Sequence, residues 1–408
     1  MQKKEFDLVV FGATSFVGQI LVQYLWKRHG VNGEIKWAIA GRDSDKLAVL
    51  KNRLGEQAHE LPVLLANANK ESDLQKLCAT TKVVVSTVGP YALYGSSLVQ
   101  VCAVTGTDYC DLTGEVQWIA RMIEAHEETA RQSGARIVHC CGFDSIPSDL
   151  GVLFLQNAAK VQYGEPCQQI RMRVRKLKGE FSGGTVASMI NVTREVAADR
   201  SLAKKLANPY LISPTRLAAR QPNVSFAEFD PEAKSWLAPF VMAGINTRVV
   251  HRSNALQGYA YGKEFKYDEA MMTGNGFKGR ITAMGVASGM AGFLIGAALP
   301  PTRWALEKFV VPKPGEGPSE NSQKRGSYDL RFYGTTSKGN KLTAKVTGDM
   351  DPGYGSTGKM LGEAAVCLAL DIDKEHCGGF WTPAALMGEQ LMGRLQQHAG
   401  LTFELLED

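Results

Sequence analysis

Residues 6–18 constrain what this chain can fold into more than any other stretch. Phe6–Phe11 (FDLVVF) is a short apolar run, the composition a buried parallel strand needs. It breaks at Gly12-Ala13-Thr14-Ser15-Phe16-Val17-Gly18, and Val17, Ile20, Leu21, Tyr24 and Leu25 then recur at helical spacing. Lys27, Arg28 and His29 followed by Gly30 give that helix a basic last turn and a glycine stop. Strand, glycine-bearing turn and helix is the context in which a loose glycine pattern becomes a site for dinucleotide phosphates. Gly12 permits a tight turn, and the backbone N–H groups opening the helix face the pyrophosphate with the helix dipole behind them. Ser15 stands where the middle glycine of the usual pattern would be. Its small hydroxyl still permits close approach and can add a phosphate hydrogen bond.

The second strand discriminates between dinucleotides. Ile35–Ala40 (IKWAIA) ends at Gly41-Arg42-Asp43. An NAD site usually places an acidic residue at this strand end, bonded to the ribose 2′-hydroxyl. Here the position is Ala40 or Gly41 with Arg42 next, and a guanidinium there can clamp a 2′-phosphate through paired charge-assisted hydrogen bonds. Lys46, one helical turn on, can assist. The alternative is a solvated Arg42 with Asp43 on the ribose; the arginine favours NADPH over NAD.

At 408 residues the chain is long enough for two domains with separate cores. Its 44% hydrophobic and 21% charged residues are ordinary for a globular protein. A net charge of +5 without any long basic run points away from nucleic acid. The eight cysteines are scattered, with no CxxC and no Cys/His metal spacing. Buried thiols in a reducing compartment are therefore expected, with no metal centre. Glu5 and Asp7 interrupt any signal-peptide pattern behind Lys3 and Lys4, so a cytoplasmic location is expected.

Strand and helix patterns alternate over residues 1–145, which predicts an α/β fold: a Rossmann domain with a doubly wound parallel sheet. Further strands are expected at 62–66, 82–88, 107–112 and 136–140, with helices at 96–105 and 115–133. Residues 146–350 then read as an α+β domain with a mostly antiparallel sheet. Gln168–Lys178 alternates basic and apolar residues, and Tyr328–Tyr333 and Lys341–Thr347 flank the turn GTTSKGN. Pro312–Ser322 reads as a loose polar loop. Residues 351–408 carry two helical patterns, expected to pack back on the Rossmann domain. Gly353–Met360 nearly matches an ATP-binding P-loop, but Met360 stands where a magnesium-binding Ser or Thr is needed.

Taken together, GATSFVG (12–18), AGRDSDKL (40–47), STVGPYALYG (86–95), YCDLTGE (109–115), GFDSIPSDLG (142–151), SGGT (182–185), DPGYGSTGKMLGEAA (351–365) and WTPAALMGEQL (381–391) resemble the saccharopine-dehydrogenase-like oxidoreductases. Within that family the likeness is to the branch of the trans-acting enoyl reductases. The resemblance implies an NADP-dependent oxidoreductase and spans nearly the whole chain. Where relatives often carry Asp after the third strand, this chain has Asn67.

Physically, Thr87-Val88-Gly89-Pro90 ends the fourth strand at the carboxyl edge of the sheet, where open α/β sheets bind ligands, and is expected to contact the cofactor. Tyr91 and Tyr94 can offer hydroxyl donors. Asp144 and Ser145 follow the sixth strand on the same edge and are expected to face the nicotinamide, whereas Ser148 or Asp149 would cap the next helix. Asp111 or Glu115 could act as an acid if burial raises its pKa. The expected catalytic set is Tyr91, Asp144 and Ser145. From Ile281 to Thr302 no residue is charged, a length that reaches a membrane span, yet the stretch is dense in glycine. Three readings stand: a buried core helix or helical hairpin, an exposed segment touching a membrane or a lipid substrate, and a spanning helix. The expected reaction is NADPH-dependent reduction of the enoyl bond of an apolar acyl or polyketide-like substrate. Two alternatives remain. One is opine-type amino-acid chemistry with Arg171, Arg173, Arg175, Arg248 and Arg252 holding carboxylates; the other is a non-enzymatic NADP-binding protein of lipid surfaces. Peripheral membrane contact through 281–302 and a homodimer stay open.

Overall fold

A computed structural model describes residues 4–179, 183–309, 317–373 and 376–407. Two compact units emerge, each assembled from three pieces of chain. The first comprises residues 1–143, 313–318 and 353–399; the second comprises 144–312, 319–352 and 400–408.

The first unit is built on seven parallel strands. They are β1 (Phe6–Phe11), β2 (Trp37–Gly41), β3 (Val63–Leu65), β4 (Thr81–Ser86), β5 (Asp108–Asp111), β6 (Arg136–Val138) and, from the C-terminal piece, Gly379–Trp381. Their order is Gly379–Trp381, β6, β5, β4, β1, β2, β3, with the reversal between β1 and β4 typical of a dinucleotide fold. β1 and β4 are almost wholly buried, which explains their unbroken apolar sequence. Helix Phe16–His29 has Ser15 as N-cap and ends at Gly30, with Lys27, Arg28 and His29 in its last turn. Helix Thr357–Leu370 lies across β1, β4 and β5 and against Phe16–His29, with Met360, Leu361, Ala364, Ala365 and Leu368 buried. Gly358 and Gly362 permit that approach: a Cβ on Gly358 would lie 2.7 Å from Ile20 Cγ2, and one on Gly362 would lie 2.9 Å from the Tyr24 ring. Between these helices Glu363 is buried, accepts a 2.6 Å bond from the Tyr24 hydroxyl, and pairs with Arg28 and Arg394 at 3.4 Å each.

The second unit contains β7 (Cys167–Lys178), β8 (Glu228–Asp230), β9 (Ser235–Pro239), β10 (Lys266–Gly274), β11 (Ser327–Thr336) and β12 (Lys341–Gly348). With Gly379–Trp381 counted as β13 in chain order, the last strand, β14 (Leu401–Leu406), also joins this sheet. The order is β14-β12-β11-β7-β10-β9-β8, and only the β7–β10 pair is parallel. β11 and β12 alternate buried and half-exposed residues along their lengths, the mark of a sheet with one packed face. Helix Ile146–Tyr163 covers β7, β11 and β12, and helix Ala243–Leu256 packs on it and on β10.

Several expectations need correction. The C-terminal piece is not helices alone: it gives strand β13 to the first sheet and β14 to the second. The boundary near 145 lies at 143/144, and Gly400 starts a return to the second unit rather than continuing the C-terminal piece. Residues 312–316 of the expected loop at 312–322 lie outside the described residues; its described end runs into a short helix, Glu320–Lys324. The uncharged stretch is not a core helix either. It belongs to helix Gly276–Ala298, which ends at Leu299, and among its larger side chains Ile281, Met284, Leu294 and Ile295 are exposed.

Candidate functional site

The cradle of the first unit is made by backbone turns that only small residues permit. Gly12 has φ +86, and a Cβ there would lie 2.6 Å from Val88 Cγ2. Its carbonyl accepts the Thr87 hydroxyl at 2.9 Å, and its N–H bonds Ala40 at 3.0 Å. Gly18 sits against the Gly12 carbonyl, where a Cβ would be 2.3 Å away. These contacts draw Gly12, Ala13, Thr14, Ser15, Phe16, Val17 and Gly18 into one turn with Thr87 and Val88, followed by Gly89 and Pro90. The first-turn amides of Phe16 and Val17 have no carbonyl above them in the helix. They form, at the carboxyl edge of β1, a helix end of the kind that can hold an anion.

Ser15 does something other than expected. Its Oγ accepts from Gly18 N at 2.9 Å and donates to Thr87 Oγ1 at 2.9 Å. The hydroxyl caps the helix and ties it to the end of β4, so it is not presented as a phosphate donor.

The 2′-phosphate end can be judged residue by residue. Asp43 caps helix Ser44–Leu54, its Oδ1 accepting from the amides of Asp45 and Lys46 at 3.1 and 3.0 Å. That carboxylate is therefore engaged by its own helix and is poorly available to a ribose. Gly41 closes β2, and Arg42 beside it is exposed, with no ion pair seen among the described residues. Lys46 lies in the first turn, 3.9 Å from Asp43 and largely exposed. The donor set is cationic with its acid occupied, which fits a 2′-phosphorylated dinucleotide. Asn67 makes a local turn, accepting from Asn69 N at 3.0 Å.

The expected proton donors separate sharply. Tyr91 is 5% exposed, and its hydroxyl donates to the Ser86 carbonyl at 2.9 Å under the Trp118 ring. Burial raises its pKa well above the phenol range. It is a brace at the β4 turn, not a donor aimed at substrate; Tyr94, three residues on, is 42% exposed. Glu115 clamps the amides of Tyr91 and Ala92 at 2.7 and 3.1 Å. Asp111 accepts from Thr113 N, Cys140 N and Tyr109 Oη, and its Oδ2 lies 2.7 Å from His139 Nδ1. Both carboxylates are thus held by the fold.

Asp144 and Ser145 belong to the second unit. Asp144 has no hydrogen bond or ion pair among the described residues, and burial alone pushes its pKa up to about 7. Ser145 is fully buried, its Oγ donating to Asn246 Oδ1 at 3.0 Å. Asn246 in turn donates to Ser148 Oγ at 3.1 Å and to Glu269 Oε2 at 2.9 Å, while the Tyr267 hydroxyl meets Glu269 Oε1 at 2.7 Å. Asp149 accepts from Ser253 Oγ at 2.5 Å, so Ser148 and Asp149 join buried contacts instead of capping the helix. Burial pushes Glu269 up to about 7. Ser145 is therefore a link in a buried polar chain. Asn246, Tyr267 and Glu269 were invisible in sequence because they are far apart along it; the only signal was an acidic pair, Asp268-Glu269, in an otherwise apolar strand.

Tyr354 and Thr357 were also missed. Tyr354 meets the Phe16 ring edge-on at 4.9 Å, and Thr357 Oγ1 accepts from Phe143 N at 3.0 Å. The near-P-loop thus abuts the dinucleotide turn as packing. Its Lys359 reaches the Ala399 carbonyl at 3.4 Å.

Comparison with known proteins agrees with this geometry. Residues 8–138 match the family model of the saccharopine dehydrogenase NADP binding domain. A Mycobacterium tuberculosis protein provisionally named a trans-acting enoyl reductase is 42% identical over 404 residues, 96% of each chain. The trans-acting enoyl reductase of Mycobacterium ulcerans is 38% identical over 410 residues, covering 97% of this chain and 96% of the relative. Among solved structures, the apo saccharopine dehydrogenase (L-Glu forming) of Saccharomyces cerevisiae superposes with a TM-score of 0.55 at 12% identity, over 98% of this chain and 99% of that one. This last likeness is one of fold.

Proposed function

The chain belongs to the saccharopine-dehydrogenase-like oxidoreductases, in the branch of the trans-acting enoyl reductases, and from that premise we propose that it reduces the enoyl double bond of an apolar acyl substrate. It is an NADP-dependent oxidoreductase. The observation that carries the substrate class is full-length identity to proteins named enoyl reductases.

Bound NADPH supplies the hydride. The chain's residues do the rest. The first-turn amides and helix dipole at Phe16–Val17 would hold the pyrophosphate, and Arg42 with Lys46 would hold the 2′-phosphate. Asp144, whose pKa burial raises to about 7, is the group of this chain that would supply the proton for the carbon next to the acyl carbonyl. One hydride and one proton would convert the double bond to a single bond, with Asp144 regaining its proton from solvent. A cytoplasmic location goes with this reading.

Opine-type chemistry is disfavoured by where the arginines go. Arg171 pairs with Asp230 and Glu232, Arg173 bridges Asp230 and Asp268 at 3.0 and 2.7 Å, and Arg175 lies 3.8 Å from Asp329. Arg248 and Arg252 donate to the carbonyls of Leu206 and Ile212. A bound dicarboxylate would have to displace these partners. The deciding assay offers purified protein NADPH with a long-chain enoyl thioester, and separately with a 2-oxo acid plus an amino acid. Loss of nicotinamide absorbance with the thioester is expected. Turnover only with the second pair, or tight NADPH binding without turnover on either, would overturn the proposal.

A further inference from the structure

Helix Gly276–Ala298 is apolar on every side, which does not suit a helix with a water-facing side. Its inner face is made of small residues: Gly279, Ala283, Ala287 and Ala297 are buried, and the helix lies against β9, β10 and helix Gly183–Ala198. Its outer face carries large apolar residues toward both ends, with Gly285, Ser288, Gly289, Ala291 and Gly292 between them. Phe277 is 77% exposed, Ile281 53%, Leu294 44% and Ile295 64%, and Leu299 and Trp304 beyond it are 53% and 57% exposed. A soluble helix that packs by one face puts its bulky apolar residues inward and charges outward. Here no charge stands on 22 consecutive residues, Ile281–Thr302. The 23-residue helix makes the apolar strip about 35 Å long. A patch of this extent marks a surface that is covered in use.

The charges at its ends select the cover. Lys278 and Arg280 stand at one end and Arg303 and Lys308 at the other, with no Asp or Glu between Glu269 and Glu307. Lys308 lies over the Trp304 ring at 4.7 Å, an aromatic and a cation stacked at the border of the apolar strip. A second copy of this chain fits poorly. Across a two-fold axis each end of the helix must meet an end of its twin, and either pairing sets cation against cation. Anionic headgroups meet all four cations favourably, with the apolar strip entering the acyl region between them. A spanning orientation is excluded by the inner face, which the second unit's own strands already cover.

We propose that this helix, with Leu299 and Trp304, seats the protein on an anionic lipid surface, lying in the plane of the interface. The proposal is independent of the enoyl reading, since it concerns only how the chain is held. It is tested by flotation of the full-length protein with vesicles of neutral phosphatidylcholine and with vesicles also containing phosphatidylglycerol. Binding is expected on the anionic vesicles and should weaken as salt rises. The triple variant Ile281→Asn, Leu294→Asn, Ile295→Asn should float roughly tenfold less, because it removes apolar area that lipid would bury. Those side chains are exposed, so the variant should keep NADPH binding by calorimetry, which serves as the control for folding. Absence of wild-type flotation on anionic vesicles would overturn the proposal. So would unchanged flotation of a variant that still binds NADPH, or light scattering showing a wild-type dimer that this variant dissolves while vesicles capture neither.

Discussion

At the scale of single residues, Arg42 and Asp144 carry the proposed coenzyme preference and proton supply, and Glu269 reports on the interior. Arg42 is exposed and its neighbour Asp43 is already a helix cap. Arg42→Ala should therefore weaken NADPH binding by roughly 10- to 100-fold, the range for loss of charge-assisted hydrogen bonds, while NADH binding barely moves. Parallel titrations with both coenzymes would show it, and equal losses would mean the arginine only supports the fold. For Asp144 the argument is one of protonation. An acid with a pKa of about 7 is protonated below neutrality, so kcat/KM should fall as pH rises through 7. Asp144→Asn should lower kcat and flatten that limb of the pH profile; a profile unchanged in shape would remove Asp144 from the chemistry. Glu269, pushed to about 7 by burial, makes a stability prediction. Its folded pKa lies above the unfolded one, near 4.5, so the folded state binds the extra proton between those values. Stability should then decline as pH rises from about 4.5 to 7 and level off above, by on the order of 3 kcal/mol from this group. Glu269→Gln, which carries no charge to desolvate, should show a smaller decline in urea melts at pH 5 and pH 8.

Elements were readable in sequence wherever one local rule governed them. The run Phe6–Phe11, the turn at Gly12–Gly18 and the basic stop before Gly30 each carry their own signal, and β1 and helix Phe16–His29 follow them closely. The hairpin of β11 and β12 was equally visible because alternation and a polar turn suffice. What could not be read was use. The Ser15 and Tyr91 hydroxyls looked available because sequence does not show that Thr87 and the Ser86 carbonyl stand opposite them. The uncharged stretch left three readings open because composition alone does not say which face of a helix a sheet will cover. The Gly358-x3-Gly362 spacing was likewise present in the sequence, but its partner, helix Phe16–His29, is more than three hundred residues away. With 2.7 Å between a notional Cβ and Ile20 Cγ2, Gly358→Val should force the two helices apart and cost about 1–3 kcal/mol. Because helix Phe16–His29 begins at the phosphate turn, NADPH affinity should fall as well. Thermal melts with and without NADPH measure both, and an undiminished melting temperature would show that the contact yields without strain.

For the whole molecule, neither unit is a continuous length of chain. Contiguous boundaries near 145 and 350 were the natural reading, since hydrophobic periodicity says where elements are and not which sheet recruits them. Yet β13, residues Gly379–Trp381, pairs with β6, and helix Thr357–Leu370 covers β1, β4 and β5. Cutting the chain after residue 145 therefore exposes one face of the parallel sheet and strips the apolar side of helix Phe16–His29. Helix Thr357–Leu370 buries Met360, Leu361, Ala364, Ala365, Val366 and Leu368. At about 25 cal/mol per Å2, losing such an element removes several kcal/mol or more, comparable to the net stability of a typical domain. A 1–145 fragment should accordingly be insoluble or molten and fail to bind NADPH despite holding every residue of the phosphate turn and Arg42. A chain in which residues 1–143 are joined by a flexible linker to 353–399 should recover cooperative melting and cofactor binding. If the 1–145 fragment alone melts cooperatively and binds NADPH with full affinity, the C-terminal piece is an ornament on a self-sufficient domain, and the discontinuity of the two units has no thermodynamic meaning.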